Sequence, residues 1–282
     1  MADIRDVVVL SGVRTPIGDY GGGLKSFSPP DLGALVVAEA IKRANVDPGQ
    51  IGQGVIGNVI HTQAKDMYVS RLSCVNGGMS HDSGALTVNR LCGSGLQAIV
   101  SASQMIMLGD TDFAVGGGVE SMSNAGYQLA SARWGARMGD TTLVDMMVGA
   151  LTDPFDTMHM GVTAENVAEK WSISRNEQDE FAVESHRRAA AAIAEGRFKD
   201  QILPIEVQSR KGVTVVDTDE HVRADATVEG MAKLRAAFKK DGSVTPGNAS
   251  GINDGGAAVV LASAAAAEKQ GLNPLARLVS YS

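Results

Sequence analysis

The sequence predicts an α/β layered domain with a largely parallel sheet, and three observations carry that prediction. Apolar runs of strand length alternate with amphipathic helical patterns along the first 120 residues. Some of those runs, such as Asp6-Val7-Val8-Val9-Leu10-Ser11-Gly12, are continuously apolar, the mark of strands buried on both faces. Glycine is abundant at 33 residues while aromatics make up 4%, which suits close-packed layers joined by tight turns.

The first strand leads into a loop, Arg14-Thr15-Pro16-Ile17-Gly18 and then Gly21-Gly22-Gly23. Asp31 is placed to cap a helix through Leu32, Leu35, Val36 and Ile41. Gly54-Val55-Ile56-Gly57-Asn58-Val59-Ile60 is a second buried strand, and Met67 to Val75 a helix with Cys74 in the core. Ala85-Leu86-Thr87-Val88 is a short strand, followed by a helix through Leu96, Ile99, Val100 and Ile106 that ends near Gly109. Phe113-Ala114-Val115 is the next strand and runs into Gly116-Gly117-Gly118.

After Glu120 the alternation stops. Ser121 to about Asn248 holds methionines, short helices and polar loops, the texture of an insertion. Within it, Ser174-Arg175-Asn176-Glu177 is a capping box opening a long helix that stops at Gly196. The strand pattern returns at Gly256-Ala257-Ala258-Val259-Val260-Leu261, followed by an alanine-rich helix from Ala264 to Lys269. Ala276-Arg277-Leu278-Val279-Ser280-Tyr281 is one more strand, expected to pair or be covered. The organisation is therefore 1–120, an inserted region 121–248, and a return over 249–282.

A net charge of −7 argues against general nucleic-acid affinity, so an anionic ligand needs a local basic patch. Met231-Ala232-Lys233-Leu234-Arg235-Ala236-Ala237-Phe238-Lys239-Lys240 holds four cations and no acid; it is either that patch or a solvated basic helix face. Two cysteines without a C-x-x-C give neither a disulfide framework nor a zinc signature, and a reduced, cytoplasmic chain is expected. His61, His81, His159, His186 and His221 show no ligand spacing, so no metal is expected. The acidic opening Met1-Ala2-Asp3-Ile4-Arg5-Asp6 has no signal-peptide or transit-peptide pattern, and no run of 18 apolar residues suggests a membrane span.

Chemistry concentrates at Asn89-Arg90-Leu91-Cys92-Gly93-Ser94-Gly95-Leu96-Gln97-Ala98-Ile99. Cys92 falls on a strand-to-helix turn, where free N–H groups and the helix dipole favour a thiolate. Gly93 and Gly95 clear space for a substrate carbonyl, and the Cys92 N–H is available to a developing oxyanion. A nucleophilic cysteine competes with two other readings. One is a buried structural thiol. The other is a dinucleotide loop, because Gly93-Ser94-Gly95-Leu96-Gln97-Ala98 fits G-x-G-x-x-A. That fingerprint wants an acidic residue ending the next strand, and Glu120 lies beyond the glycine triplet.

Several segments together resemble the thiolases, the acetyl-CoA C-acyltransferases. Asn89-Arg90-Leu91-Cys92-Gly93-Ser94-Gly95 is similar to their active-site signature. So are Gly12-Val13-Arg14-Thr15-Pro16-Ile17-Gly18, Gly116-Gly117-Gly118-Val119-Glu120-Ser121-Met122-Ser123, His159-Met160-Gly161-Val162-Thr163-Ala164-Glu165-Asn166 and Gly247-Asn248-Ala249-Ser250-Gly251-Ile252-Asn253-Asp254-Gly255. The matches are ordered and span the chain. The nearest likeness is to bacterial biosynthetic β-ketothiolases, including those feeding polyhydroxyalkanoate synthesis.

The resemblance implies a thiolase-like fold: one αβα half of a five-layered αβαβα plan, with 121–248 as a loop domain for coenzyme A. It implies that Cys92 takes the acyl group from a coenzyme A thioester and that a second acetyl-CoA attacks the acyl-enzyme; thiolysis is the reverse. His159 and Met160 would line the pantetheine tunnel, Ser250 would contact the pantetheine arm, and Arg223 would lie near the adenine end. Acetyl-CoA and acyl-CoA would be substrates, with no resident cofactor, no metal, no nucleic acid and no membrane, in a homodimer or homotetramer. Thiolases continue through a second domain carrying Asn-Glu-Ala-Phe, Gly-His-Pro and Cys-x-Gly-Gly segments, none of which occurs in these 282 residues. The expectation is a chain that is inactive or incomplete by itself; the alternative is a non-catalytic coenzyme A-binding or dimerisation partner.

Overall fold

The computed structural model describes residues 4–210 and 212–282; the opening Met1-Ala2-Asp3 lies outside the described residues. In chain order the elements begin β1 (Val7–Arg14), β2 (Gly18–Asp19), α1 (Pro29–Ala44), β3 (Gln53–Gly57), α2 (Val69–Asn76), β4 (Gly84–Val88), α3 (Ser94–Leu108) and β5 (Phe113–Ser121). Next come β6 (Tyr127–Gln128), β7 (Val144–Asp145), α4 (Met146–Ala150), α5 (Met160–Trp171) and α6 (Arg175–Ala194). The last are β8 (Ile205–Ser209), β9 (Gly212–Val216), α7 (Val228–Met231), β10 (Asn253–Ser263), α8 (Ala264–Lys269) and β11 (Ala276–Arg277).

Two compact units emerge, one of Met1–Asn124, Gln201–Thr218 and Asn253–Ser282, the other of Ala125–Asp200 and Asp219–Ile252. Segment 201–218, which the sequence reading assigns to the insertion, joins the first unit. The Arg14 N–H donates to the Gln201 carbonyl at 2.9 Å, the Leu203 N–H donates to the Arg14 carbonyl at 2.8 Å, and Ile202 is buried.

The first unit holds a seven-stranded sheet in the order β11-β1-β10-β5-β3-β4, with β2 also pairing to β10. It is mixed rather than largely parallel. Among the described strands of this sheet, only β3–β4 and β3–β5 pair in parallel; β10 runs antiparallel to β1, β2 and β5, and β11 antiparallel to β1. Parallel neighbours need crossovers, which α2 and α3 provide, whereas β10 returns from the insertion without one. The two faces alternate as strand geometry requires. Phe113 and Val115 point to a core shared with Val36, Val37 and Ile41 of α1, while Ala114 joins Ala98, Ala102 and Ile106 of α3. Helices therefore cover both faces. Each fully buried Val or Ile contributes roughly 1.5–3 kcal/mol of transfer free energy.

Four local expectations change. Asp31 is the third residue of α1, not its cap: Ser28 caps, and its N–H donates to the Asp31 carboxylate in a capping box. Pro29 and Pro30 carry the helix start forward, since their missing N–H groups would be unsatisfied there anyway. The strand expected to reach Ile60 ends at Gly57, and the terminal strand is only Ala276–Arg277, paired to Val8 and Val9 of β1. The basic run continues α7 by no further helical turn, so Lys233 to Lys240 forms no helix face.

The glycine triplet lies inside β5, which runs on to Ser121. A Cβ on Gly116 would sit 2.9 Å from the Ile99 Cα, one on Gly118 3.2 Å from the Gly95 Cα, and one on Gly57 2.6 Å from the Ser94 carbonyl carbon. These glycines form the seat on which α3 lies. The stretch Leu91–Leu108 is long and apolar enough by composition to cross a bilayer, which run-length reading misses because Gln97, Ser101, Ser103 and Gln104 interrupt it. Its Ala98, Ala102 and Ile106 are fully buried in the sheet core. Cys74 is fully buried against α1 and β3, and desolvation pushes its thiol up to about 11.

The second unit is built around two buried carboxylates. Glu165 of α5 accepts from the N–H groups of Ser243 and Val244 and from the Ser243 hydroxyl, all at 2.8–2.9 Å. Burial acts to raise its pKa, yet those hydrogen bonds win and hold it below the usual carboxylate range. Asp179 of α6 takes Arg175 at 2.7 Å and the Asn248 amide at 2.9 Å. The Asn248 Oδ1 in turn accepts the Thr245 N–H, so the loop 243–248 is tied to both helices.

Candidate functional site

Cys92 lies between the end of β4 and the first turn of α3, and the sequence around it dictates a tight turn. Asn89 Oδ1 accepts the Leu91 N–H at 3.0 Å, a short-range bond that reverses the chain. Leu91 adopts a left-handed φ of +46°, which costs a non-glycine residue roughly 1–2 kcal/mol. Ser94 repays that strain. Its buried hydroxyl donates to the Leu91 carbonyl at 2.6 Å and accepts the Arg90 N–H at 2.9 Å. The Gly93 and Ser94 N–H groups close on the Arg90 and Leu91 carbonyls.

The result is an exposed, unbonded thiol at a helix N-terminus. Cys92 is free and solvent-accessible, which excludes a buried structural thiol. Among the described residues, nothing hydrogen-bonds its sulfur, and the N–H groups of Gly95 and Leu96 in the first turn of α3 find no acceptor. A Cβ on Gly95 would meet nothing within 4 Å, so that side of the turn is open. Gly93 differs from expectation: a Cβ there would stand 3.3 Å from the Arg90 carbonyl oxygen, which makes it a turn residue rather than a clearance for substrate.

The dinucleotide reading fails for a new reason. Because β5 extends through the triplet, Glu120 does stand near a strand end. Its carboxylate, however, accepts Asn58 Nδ2 and the Val59 and Ile60 N–H groups at 2.9–3.0 Å. Burial pushes its pKa up, against those backbone donors. The carboxylate is occupied in holding the loop after β3 and is not offered to a ribose.

His159, Met160, Arg223 and Ser250 all belong to the second unit, and Cys92 to the first. His159 caps α5: its Nδ1 accepts the Gly161 N–H at 3.0 Å, and its ring stacks on Phe238 with centroids 4.9 Å apart. Gly161 must be glycine, because a Cβ would overlap the Phe238 ring. Met160, next in the chain, is 43% exposed. Ser250 is exposed just beyond the tethered 243–248 loop.

Arg223 lines a cleft of about 370 Å³ together with His186, His221, Asp225, Met231 and Leu234. His159, Met160 and Ser250 do not line it. The basic run contributes only Met231 and Leu234; its Lys239 pairs with Glu169 at 3.3 Å instead. His186 and His221 are the residues that sequence reasoning missed. Their rings are 6.3 Å apart, although 35 positions separate them in the chain, so no spacing pattern reveals the pair. Burial first, then the charges of His221 and Arg223, lower the pKa of His186.

The family described as "Thiolase, N-terminal domain" matches residues 7–265. The chain is 63% identical over 278 residues to the beta-ketothiolase BktB of Cupriavidus necator, covering 98% of this chain and 71% of that protein. The crystal structure of the Bacillus anthracis acetyl-CoA acetyltransferase superposes with a TM-score of 0.96 at 43% identity, over 99% of this chain and 71% of that one. Human mitochondrial 3-ketoacyl-CoA thiolase in complex with CoA superposes with a TM-score of 0.93 at 41% identity, over 98% of this chain and 69% of that one. The mixed sheet with helices on both faces is the thiolase fold, and the chain belongs to the thiolase family of acyltransferases.

Proposed function

We propose that this chain supplies the acyl-accepting nucleophile and the coenzyme A-binding region of a β-ketothiolase that forms or cleaves 3-ketoacyl-CoA. The observation that carries this reading is the exposed Cys92 thiol at the start of α3, on a turn held by Ser94. The Cys92 sulfur attacks the thioester carbonyl of acetyl-CoA, the bond from that carbon to the coenzyme sulfur breaks, and the thiol proton ends on coenzyme A. A thioester is exchanged for a thioester, so one sulfur must be both a good nucleophile and a good leaving group. The Cys92 N–H and the free donors of the first α3 turn stabilise the tetrahedral oxyanion. The second unit binds coenzyme A, with His159 and Met160 along the pantetheine, Ser250 at its arm and Arg223 toward the adenine end.

Carbon–carbon bond formation then needs a base to take a proton from the methyl of a second acetyl-CoA. Among the described residues none hydrogen-bonds the Cys92 sulfur, and no residue of this chain is proposed as that base. The 282-residue chain on its own is therefore expected to form no measurable acetoacetyl-CoA. The half-reaction is the direct test. Acetyl-CoA and isotopically labelled coenzyme A, incubated with the chain, should exchange label through the acyl-Cys92 intermediate, and Cys92→Ala should abolish the exchange. Exchange that survives in C92A, or its absence in the parent, would overturn the proposal.

A further inference from the structure

We propose that His186 is a positioning residue for the nucleotide end of coenzyme A, acting through the loop that carries Arg223; this rests on the coenzyme A reading above. The Arg223 backbone N–H donates to His186 Nδ1 at 3.2 Å, joining α6 to the segment 219–227 across the cleft they line. The Arg223 guanidinium donates from Nη1 to the Glu220 carbonyl at 2.8 Å, so the loop is closed on itself as well as docked on the helix. A ring nitrogen that accepts an N–H carries no proton of its own. The imidazole is therefore neutral and keeps its proton on Nε2.

The surroundings favour that state. His221, Arg223 and Asp225 are the titratable or charged groups that face His186 across the cleft. On its own helix the neighbours one turn away, Ala182, Val183, Ala189 and Ala190, are uncharged. Partial burial first, then the electrostatic influence of His221 and Arg223, disfavours a charged imidazole, while the carboxylate of Asp225 also lines the cleft. Protonation at Nδ1 would turn acceptor into donor and release the Arg223 N–H. His186 thus latches the loop only while neutral, and it contributes geometry rather than charge to a phosphate-bearing ligand.

The test uses the full 282-residue chain and coenzyme A itself, with binding followed by titration calorimetry from pH 8 to pH 5.5. His186→Ala should weaken binding at pH 8 by about fivefold to tenfold, the size of one lost hydrogen bond. His186→Asn puts Oδ1 close to the position of Nδ1, accepts the same N–H and does not titrate; it should stay within about twofold of the parent at pH 8. As the pH falls, the parent should lose affinity relative to His186→Asn. A parent that instead gains on H186N would make His186 a direct cationic phosphate contact and overturn the proposal, and so would a ratio that does not change. Backbone amide exchange at Arg223 is the second readout: protected in the parent and H186N, unprotected in H186A. A parent that fails to bind coenzyme A would sink the coenzyme reading, while Arg223 protection lost in H186A would still uphold the latch; equal protection in all three would remove the latch itself.

Discussion

The Ser94 hydroxyl bonds both sides of the turn that presents Cys92, donating to the Leu91 carbonyl at 2.6 Å and accepting the Arg90 N–H at 2.9 Å. One buried side chain thus compensates the left-handed Leu91 and fixes where the thiol emerges. Ser94→Ala leaves the Arg90 N–H without its partner, at a cost of about 1–3 kcal/mol in urea unfolding. Acylation of Cys92 should slow with it. An S94A chain of parental stability and reactivity would show that the turn holds without the clamp.

The glycines beside α3 have separable roles. Gly116→Ala drives a methyl to 2.9 Å from the Ile99 Cα and should destabilise the chain by about 1–3 kcal/mol, as overpacking does. Gly95→Ala places its methyl in open space and replaces a poor helix former, so stability should hold or rise by up to about 1 kcal/mol. The same methyl narrows the approach to Cys92, and G95A should acylate more slowly. Chemical denaturation beside acylation rates separates the two effects; a G95A chain that acylates at the parental rate would place the substrate elsewhere.

Much of this was legible in the sequence. The short strand and following helix around Cys92 emerge from hydrophobic periodicity within a residue or two, and Ser174-Arg175-Asn176-Glu177 caps α6 as its pattern requires. What was not legible depends on long-range partners. Periodicity cannot say that β10 returns antiparallel, because direction is set by which strand it meets. The glycines of β5 look like a loop until α3 is laid over them, since a strand residue without a side chain is explained only by what lies against it. The contact between His186 and Arg223 joins a helix to a loop 37 positions on and leaves no local signature.

Glu165 gives a pH-dependent signature in the second unit. Its folded pKa is depressed, so its contribution to stability is fully present above the unfolded value near 4.5 and is lost as the pH falls through the lower folded value. Glu165→Gln should therefore cost about 1–3 kcal/mol at pH 6–7, with donors from Ser243 and Val244 left underpaired. The gap between parent and E165Q should close below pH 4.5. Thermal unfolding of both chains from pH 7 to pH 3.5 measures it; a gap that widens toward acid would mean that the carboxylate is held neutral.

In the proposed reaction Cys92, and not Cys74, is the acyl acceptor. Native chain is incubated with acetyl-CoA, quenched in acid and digested, and each cysteine peptide is weighed. One acetyl group is expected on the Cys92 peptide and none on the Cys74 peptide, whose thiol is buried and pushed up to about 11. An acetylated Cys74 with an unmodified Cys92, or no thioester adduct on either, would contradict it.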